Sequence, residues 1–340
     1  MNVQQGMKAI QDNLEQIYLI LGTEKYLQDE VRQAFLKKTQ VVDEADLNFA
    51  AFDLREDRLA EVMNEVESMP FFGDHRLVFV ENPDFLTGAK NQKEQENLAE
   101  FIAYLQQPVE STVLVIFAPY EKLDERKKVT KTLKKTATLI ETKPPTEGEL
   151  KKLLLELFAT EQISISSDNL ELILRLTDLS LSKIMGEFQK LVTNVGAHGE
   201  ITQEIIQDLI PKTLEHNIFD MTNFVLQGKA EAALRLYDDL LLQGEETIKI
   251  NSILISQVRL YLQTKILVGI GYQQGNIAST LSIHPYRVKL AMQEVRRFQL
   301  ETLETIFDQL VENDYRFKTG QGDKEILFQL FVLNTVGKVS

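Results

Sequence analysis

Five short apolar runs, with helical patterns between them, constrain the first part of this chain more than any other feature. The runs are Ile17–Leu21, Leu47–Phe52, Leu77–Val80, Thr112–Phe117 and Ala137–Glu141. Between them, Tyr26, Leu27, Val31, Ala34 and Phe35, and later Leu98, Phe101, Ile102 and Leu105, recur at the spacing of one helix face. Alternation of buried strands with helices is the pattern of a parallel sheet covered by helices. The sequence therefore predicts an α/β domain, doubly wound around five strands, over residues 1–143.

At Lys143-Pro144-Pro145 the pattern stops, because two prolines cannot continue a strand ladder. Thr146 and Glu149 then have the spacing of a capping box. Beyond them strand signals all but vanish. Leu150, Leu153, Leu154, Leu157 and Phe158 share one helix face. Leu170, Ile173, Leu174 and Leu176 share a second, and Ile184, Phe188 and Leu191 a third, ahead of Pro211. Residues 144–211 are read as a small helical domain. Residues 212–340 are read as a second all-α domain, with long helices over Ile248–Ile270 and Leu300–Phe317 and a closing segment from Asp323 to Val336.

One connection breaks the rule that turns are polar. Ser68-Met69-Pro70-Phe71-Phe72-Gly73 sets three large apolar side chains between a helical pattern (Leu59, Val62, Met63, Val66) and the third apolar run. Pro70 discourages further helix and Gly73 lets the chain turn. Connections lie at the surface, so Met69, Phe71 and Phe72 either fold back onto their own core or form a wedge for another protein's pocket.

With 44% hydrophobic and 26% charged residues, the composition is that of a soluble globular protein, and no apolar run is long enough to span a bilayer. The N-terminus carries no signal-peptide core, and the absence of cysteine excludes disulfides and fits a cytoplasmic protein. The four histidines lie far apart, without metal-ligand spacing. A net charge of −14 argues against non-specific nucleic-acid binding by the chain alone.

The first domain resembles a P-loop ATPase of the AAA+ type, yet the residues that would hold ATP are missing. A Walker A loop needs G-x-x-x-x-G-K-S/T, whereas the first strand here runs into Gly22-Thr23-Glu24-Lys25-Tyr26-Leu27. The third strand ends in Glu81-Asn82-Pro83-Asp84, a poor match to paired magnesium-binding acids. Ala118-Pro119 stand where a polar sensor is expected. No cofactor is expected, and no catalytic set emerges. Asp220, Asp238 and Asp239 read as solvated helix faces.

Two further segments invite a binding role. Residues 122–143 hold eight basic residues against three acidic ones, on a helix predicted to start near Asp124. Arg126, Lys127 and Lys131 are its candidate contacts to phosphates or an acidic partner, unless they simply form a solvated face. Lys318 is a further candidate, by position alone. The stretch Asn276–Lys289 reads like a helix-turn-helix in which Tyr286, Arg287 and Lys289 could face DNA, but Ile277, Leu281, Val288 and Leu290 have core-packing spacing. An ATP-driven AAA+ enzyme with a divergent site and a DNA-binding regulator are therefore the alternative readings.

Taken in order, these segments resemble the delta-subunit family of the bacterial DNA polymerase III clamp loader, of the Gram-positive type. The resemblance rests on Leu19–Leu27, Ser68–Gly73, Pro144–Leu150, Leu181–Leu191 and Ile283–Lys289. It implies an AAA+-like domain without ATPase function, a lid domain and a collar that joins the delta prime and tau/gamma subunits. It also implies that Met69, Phe71 and Phe72, with Pro70 shaping the turn, insert into the sliding clamp (the beta subunit) and help open the ring. Phe71 stands where some relatives have leucine. ATP would be bound by partner subunits, and primed DNA gripped within the assembled complex.

Overall fold

The computed structural model describes residues 1–41, 46–88 and 97–339, which fall into two units, Met1–Leu209 and Ile210–Ser340. The first unit opens with α1 (Val3–Asp12), β1 (Ile17–Leu21), α2 (Lys25–Thr39), β2 (Phe49–Asp53) and α3 (Leu59–Val66). It continues through β3 (Arg76–Glu81), α4 (Leu98–Gln106), β4 (Thr112–Ala118), α5 (Lys128–Thr136) and β5 (Thr138–Glu141). These strands form one parallel sheet in the order β2-β3-β4-β1-β5. Each apolar run read from the sequence is thus a strand, within a residue or two.

The run of apolar residues in the central strands follows from cover on both faces. Alternate side chains go to opposite sides of the pleat. Leu19, Val78, Val80, Leu114 and Ile116 pack under α3, α4 and α5, which contribute Val62, Phe101 and Leu133. Tyr18, Ile20, Phe79, Val115 and Phe117 pack against α1 and α2, which contribute Ile10, Val31 and Phe35. On that second face the Phe79 ring meets Phe35, Phe49 and Phe117 edge-on. The Arg32 guanidinium lies over the Phe117 ring at 4.4 Å and pairs with Glu81 at 2.5 Å.

The remainder of the first unit is α6 (Glu147–Thr160), β6 (Ser164–Ile165), α7 (Ser167–Leu176), α8 (Leu181–Val195), β7 (Glu200–Ile201) and α9 (Gln203–Leu209). Thr146 and Glu149 form the predicted capping box, and the Phe158 and Phe188 rings pack 5.0 Å apart. β6 and β7, a parallel pairing of two residues each, are too short to leave a periodic signal in the sequence.

The second unit is helical among the described residues: α10 (Leu214–Leu226), α11 (Ala230–Leu242), α12 (Thr247–Gly269), α13 (Gln274–Leu281), α14 (Pro285–Glu294), α15 (Leu300–Thr319) and α16 (Lys324–Val339). α12 is buried on several sides, through Ile250, Leu254, Val258 and Tyr261. Two of its polar side chains find partners inside the bundle. Asn251 donates to the Leu310 carbonyl at 3.3 Å, and the Tyr261 hydroxyl donates to Asn223 at 3.1 Å.

The exits of β1 and β5 interlock. The Leu21 carbonyl accepts from Thr142 N–H, and the Thr142 carbonyl accepts from Glu24 N–H. Gly22 threads between them at φ +145°, where an added Cβ would lie 2.2 Å from the Thr142 carbonyl oxygen. Gly73 also has positive φ, +74°, but faces open space. Gly22→Ala is expected to destabilise the first unit by at least about 3 kcal/mol, since backbone overlap adds to conformational strain, and Gly73→Ala by only about 1 kcal/mol. Urea unfolding of the two variants distinguishes the costs.

Candidate partner-docking site

The apolar turn is anchored at its entrance by the end of α3. The last helical carbonyl, of Val66, accepts from the Thr112 hydroxyl at 3.0 Å and from the Tyr104 hydroxyl at 3.4 Å. Burial pushes the Tyr104 hydroxyl up to about 12, so it stays a proton donor at neutral pH. Past this anchor, Met69, Phe71 and Phe72 are 83%, 62% and 75% exposed. Leu47, at the approach to β2, adds a fourth exposed apolar side chain. The turn does not fold back onto its own core.

Two polar residues that the sequence reading passed over hold this surface in place. Arg76, the first residue of β3, is only 5% exposed. Its guanidinium pairs with Glu65 on α3, donates to the Leu47 carbonyl at 3.1 Å and lies 5.9 Å from the centre of the Phe71 ring. Desolvation lowers its pKa from the ordinary value. Asn48 accepts from Phe71 N–H at 2.7 Å and donates to the Phe72 carbonyl at 2.6 Å. Neither residue carries a sequence signal, since an arginine and an asparagine at strand entrances are ordinary.

Polar groups at the β1–α2 turn and at the end of β3 are engaged within the chain. Glu24 is the N-cap of α2, and its carboxylate accepts from Tyr26 N–H at 3.3 Å. A phosphate at that helix end would meet a negative charge. The Gly22 carbonyl is taken by Gln28 at 2.6 Å. At the end of β3, Glu81 pairs with Arg32, Asn82 bonds Asp53 at 2.9 Å, and Asp84 accepts from the Tyr120 hydroxyl at 2.7 Å. Among the described residues, no three His, Asp or Glu side chains gather as a metal site.

The basic helix begins at Lys128, not near Asp124 as predicted. The Asp124 carboxylate accepts from Arg126 N–H at 3.1 Å, which holds the preceding residues in a turn. Arg126 grips the same carboxylate through two side-chain nitrogens, holding its pKa well below the usual carboxylate range. Lys127 donates to the Phe85 carbonyl at 3.0 Å, and Lys318 pairs with Asp314 at 2.6 Å. Lys131 stands exposed on α5. In the second unit, α13 and α14 do form two helices joined by a turn, and Ile277, Ala278 and Val288 make a small core with Leu267, Ile283 and Met292.

The chain matches two family descriptions: "DNA polymerase III, delta subunit" over residues 18–143 and "DNA polymerase III delta subunit, C-terminal domain" over residues 215–335. It is 42% identical over 318 residues to DNA polymerase III subunit delta of Bacillus subtilis, covering 93% of this chain and 92% of that one. It is 23% identical over 247 residues to the probable DNA polymerase III subunit delta of Aquifex aeolicus, covering 71% and 68% of the two chains. A solved structure of the Bacillus subtilis DNA clamp loader delta protein superposes with a TM-score of 0.73 at 41% identity, covering 98% of this chain and 99% of that one.

The Arg76–Glu65 pair offers a direct test of how the turn is supported. Arg76→Ala leaves Glu65 partly buried without its cation and removes the bond to Leu47. It should cost about 2–4 kcal/mol, whereas Glu65→Gln, which keeps a hydrogen-bonding group, should cost less than half of that. Denaturant titration of both variants gives the comparison.

Proposed function

Because this chain belongs to the DNA polymerase III delta-subunit family, we propose that it docks on the sliding clamp through Met69, Phe71 and Phe72, with Pro70 shaping the turn. The observation that carries this reading is the display of two adjacent phenyl rings and a methionine on a turn that the fold fixes but leaves uncovered. Burying a phenylalanine fully is worth roughly 1.5–3 kcal/mol, and a few such anchors dominate most interfaces. Ring opening then requires that the same contact be stronger with the open clamp than with the closed one, since equal affinity for both shifts nothing.

The helical second unit serves as the collar that joins the delta prime and tau/gamma subunits. Supporting this, Ile326, Leu330 and Leu333 are exposed on α16 at the spacing of one helix face. Primed DNA is contacted within the assembled complex. Lys131 is the basic candidate for that contact with the least competition from its own chain, whereas Arg126, Lys127 and Lys318 would have to leave their present partners. The Glu24 carboxylate at the α2 N-terminus supports a chain that holds no ATP, with nucleotide bound by partner subunits. Among the described residues no helix is long and apolar enough to cross a membrane. The work belongs to the cytoplasm.

The double variant Phe71→Ala/Phe72→Ala should weaken clamp binding at least about a hundredfold in surface plasmon resonance, with the unfolding transition unchanged because both rings face solvent. Unaltered affinity would remove the turn from the interface. Equilibrium dialysis of the isolated chain against labelled ATP should show no saturable binding.

A further inference from the structure

We propose that Asn48 is the positioning residue of the docking turn, its carboxamide fixing the backbone of Phe71 and Phe72 before any partner arrives. The inference rests on the docking reading above and adds to it a residue outside the apolar turn. Asn48 lies 23 residues from Phe71 along the chain, yet its Oδ1 accepts from Phe71 N–H at 2.7 Å and its Nδ2 donates to the Phe72 carbonyl at 2.6 Å. It is itself held at both backbone groups. Its N–H donates to the Asp46 carboxylate at 2.8 Å, and its carbonyl accepts from Leu77 N–H at 2.8 Å, alongside the β2–β3 ladder.

The carboxamide thereby substitutes for a neighbouring strand. Phe71 and Phe72 lie between α3 and β3 and make no ladder bonds, so their backbone groups need a donor and an acceptor from elsewhere. A primary amide supplies both on one planar group, and asparagine has the shorter stem of the two residues that carry it. Fixing two residues before binding removes an ordering cost that an untethered turn would meet on docking. The rings point outward. What the bracket sets is how closely they keep one arrangement.

The test uses the full chain and the purified sliding clamp, with Asn48→Ala, the nearly isosteric Asn48→Asp and Phe71→Ala/Phe72→Ala. In the free protein, amide hydrogen exchange at Phe71 should be slow. It should quicken in Asn48→Ala, while the amides of Leu77–Val80 keep their protection, which reports an intact β3. Asn48→Asp keeps the acceptor but loses the donor, so Phe71 should stay partly protected. Clamp affinity should fall on the order of tenfold in Asn48→Ala and by less in Asn48→Asp. Affinity that tracks Phe71 exchange while β3 protection holds constant supports positioning. Loss of protection across β3 in step with affinity overturns it in favour of a general structural role. Clamp affinity indifferent to Asn48→Ala but lost in Phe71→Ala/Phe72→Ala overturns the inference and leaves the docking reading standing. Affinity indifferent to the double phenylalanine variant overturns both.

Discussion

The pairing of β3 with β2 on one side and β4 on the other is the constraint on which the first unit depends. β3 is buried at every residue from Arg76 to Val80, so its register is fixed by packing on both faces at once. Slipping it by one residue would exchange Phe79, at the centre of the aromatic group, with the smaller valines that belong on the other face. That fixed register also decides where Arg76 stands. Its backbone N–H bonds the Ser111 carbonyl, and its side chain reaches Glu65, Leu47 and the underside of Phe71. The exposed turn is thus attached directly to a buried strand of the sheet.

The turns that leave β1 and β3 are closed by the chain's own side chains. The loop after β1 leads into α2 as a phosphate-binding loop would, but Glu24 caps the helix and Gln28 occupies the Gly22 carbonyl. The acids at the end of β3 are likewise engaged by Arg32 and Tyr120. Each of these polar groups is satisfied within the chain.

Much of this was legible in the sequence because burial on two faces leaves a continuous apolar run, and each run became a strand. The capping box at Thr146 and the long helices of the second unit were legible for the same reason: local chemistry and periodicity determine them. The apolar turn was visible as a violation of pattern, though the sequence alone left open whether it faced inward or outward. The bracket made by Asn48 could not be read, since it depends on a contact between residues 23 positions apart. The start of α5 was misplaced because Asp124 looks like a helix cap in sequence but closes a turn on Arg126 in space. β6 and β7 escaped because two residues have no period.

A surface that stays greasy while its owner is alone has a consequence for handling and for life in a crowded cell. Columns, plastic and chaperone clefts all compete for the same few side chains. Around this turn the exposed oil amounts to four residues, Leu47, Met69, Phe71 and Phe72, backed by an amide and a guanidinium rather than by more hydrocarbon.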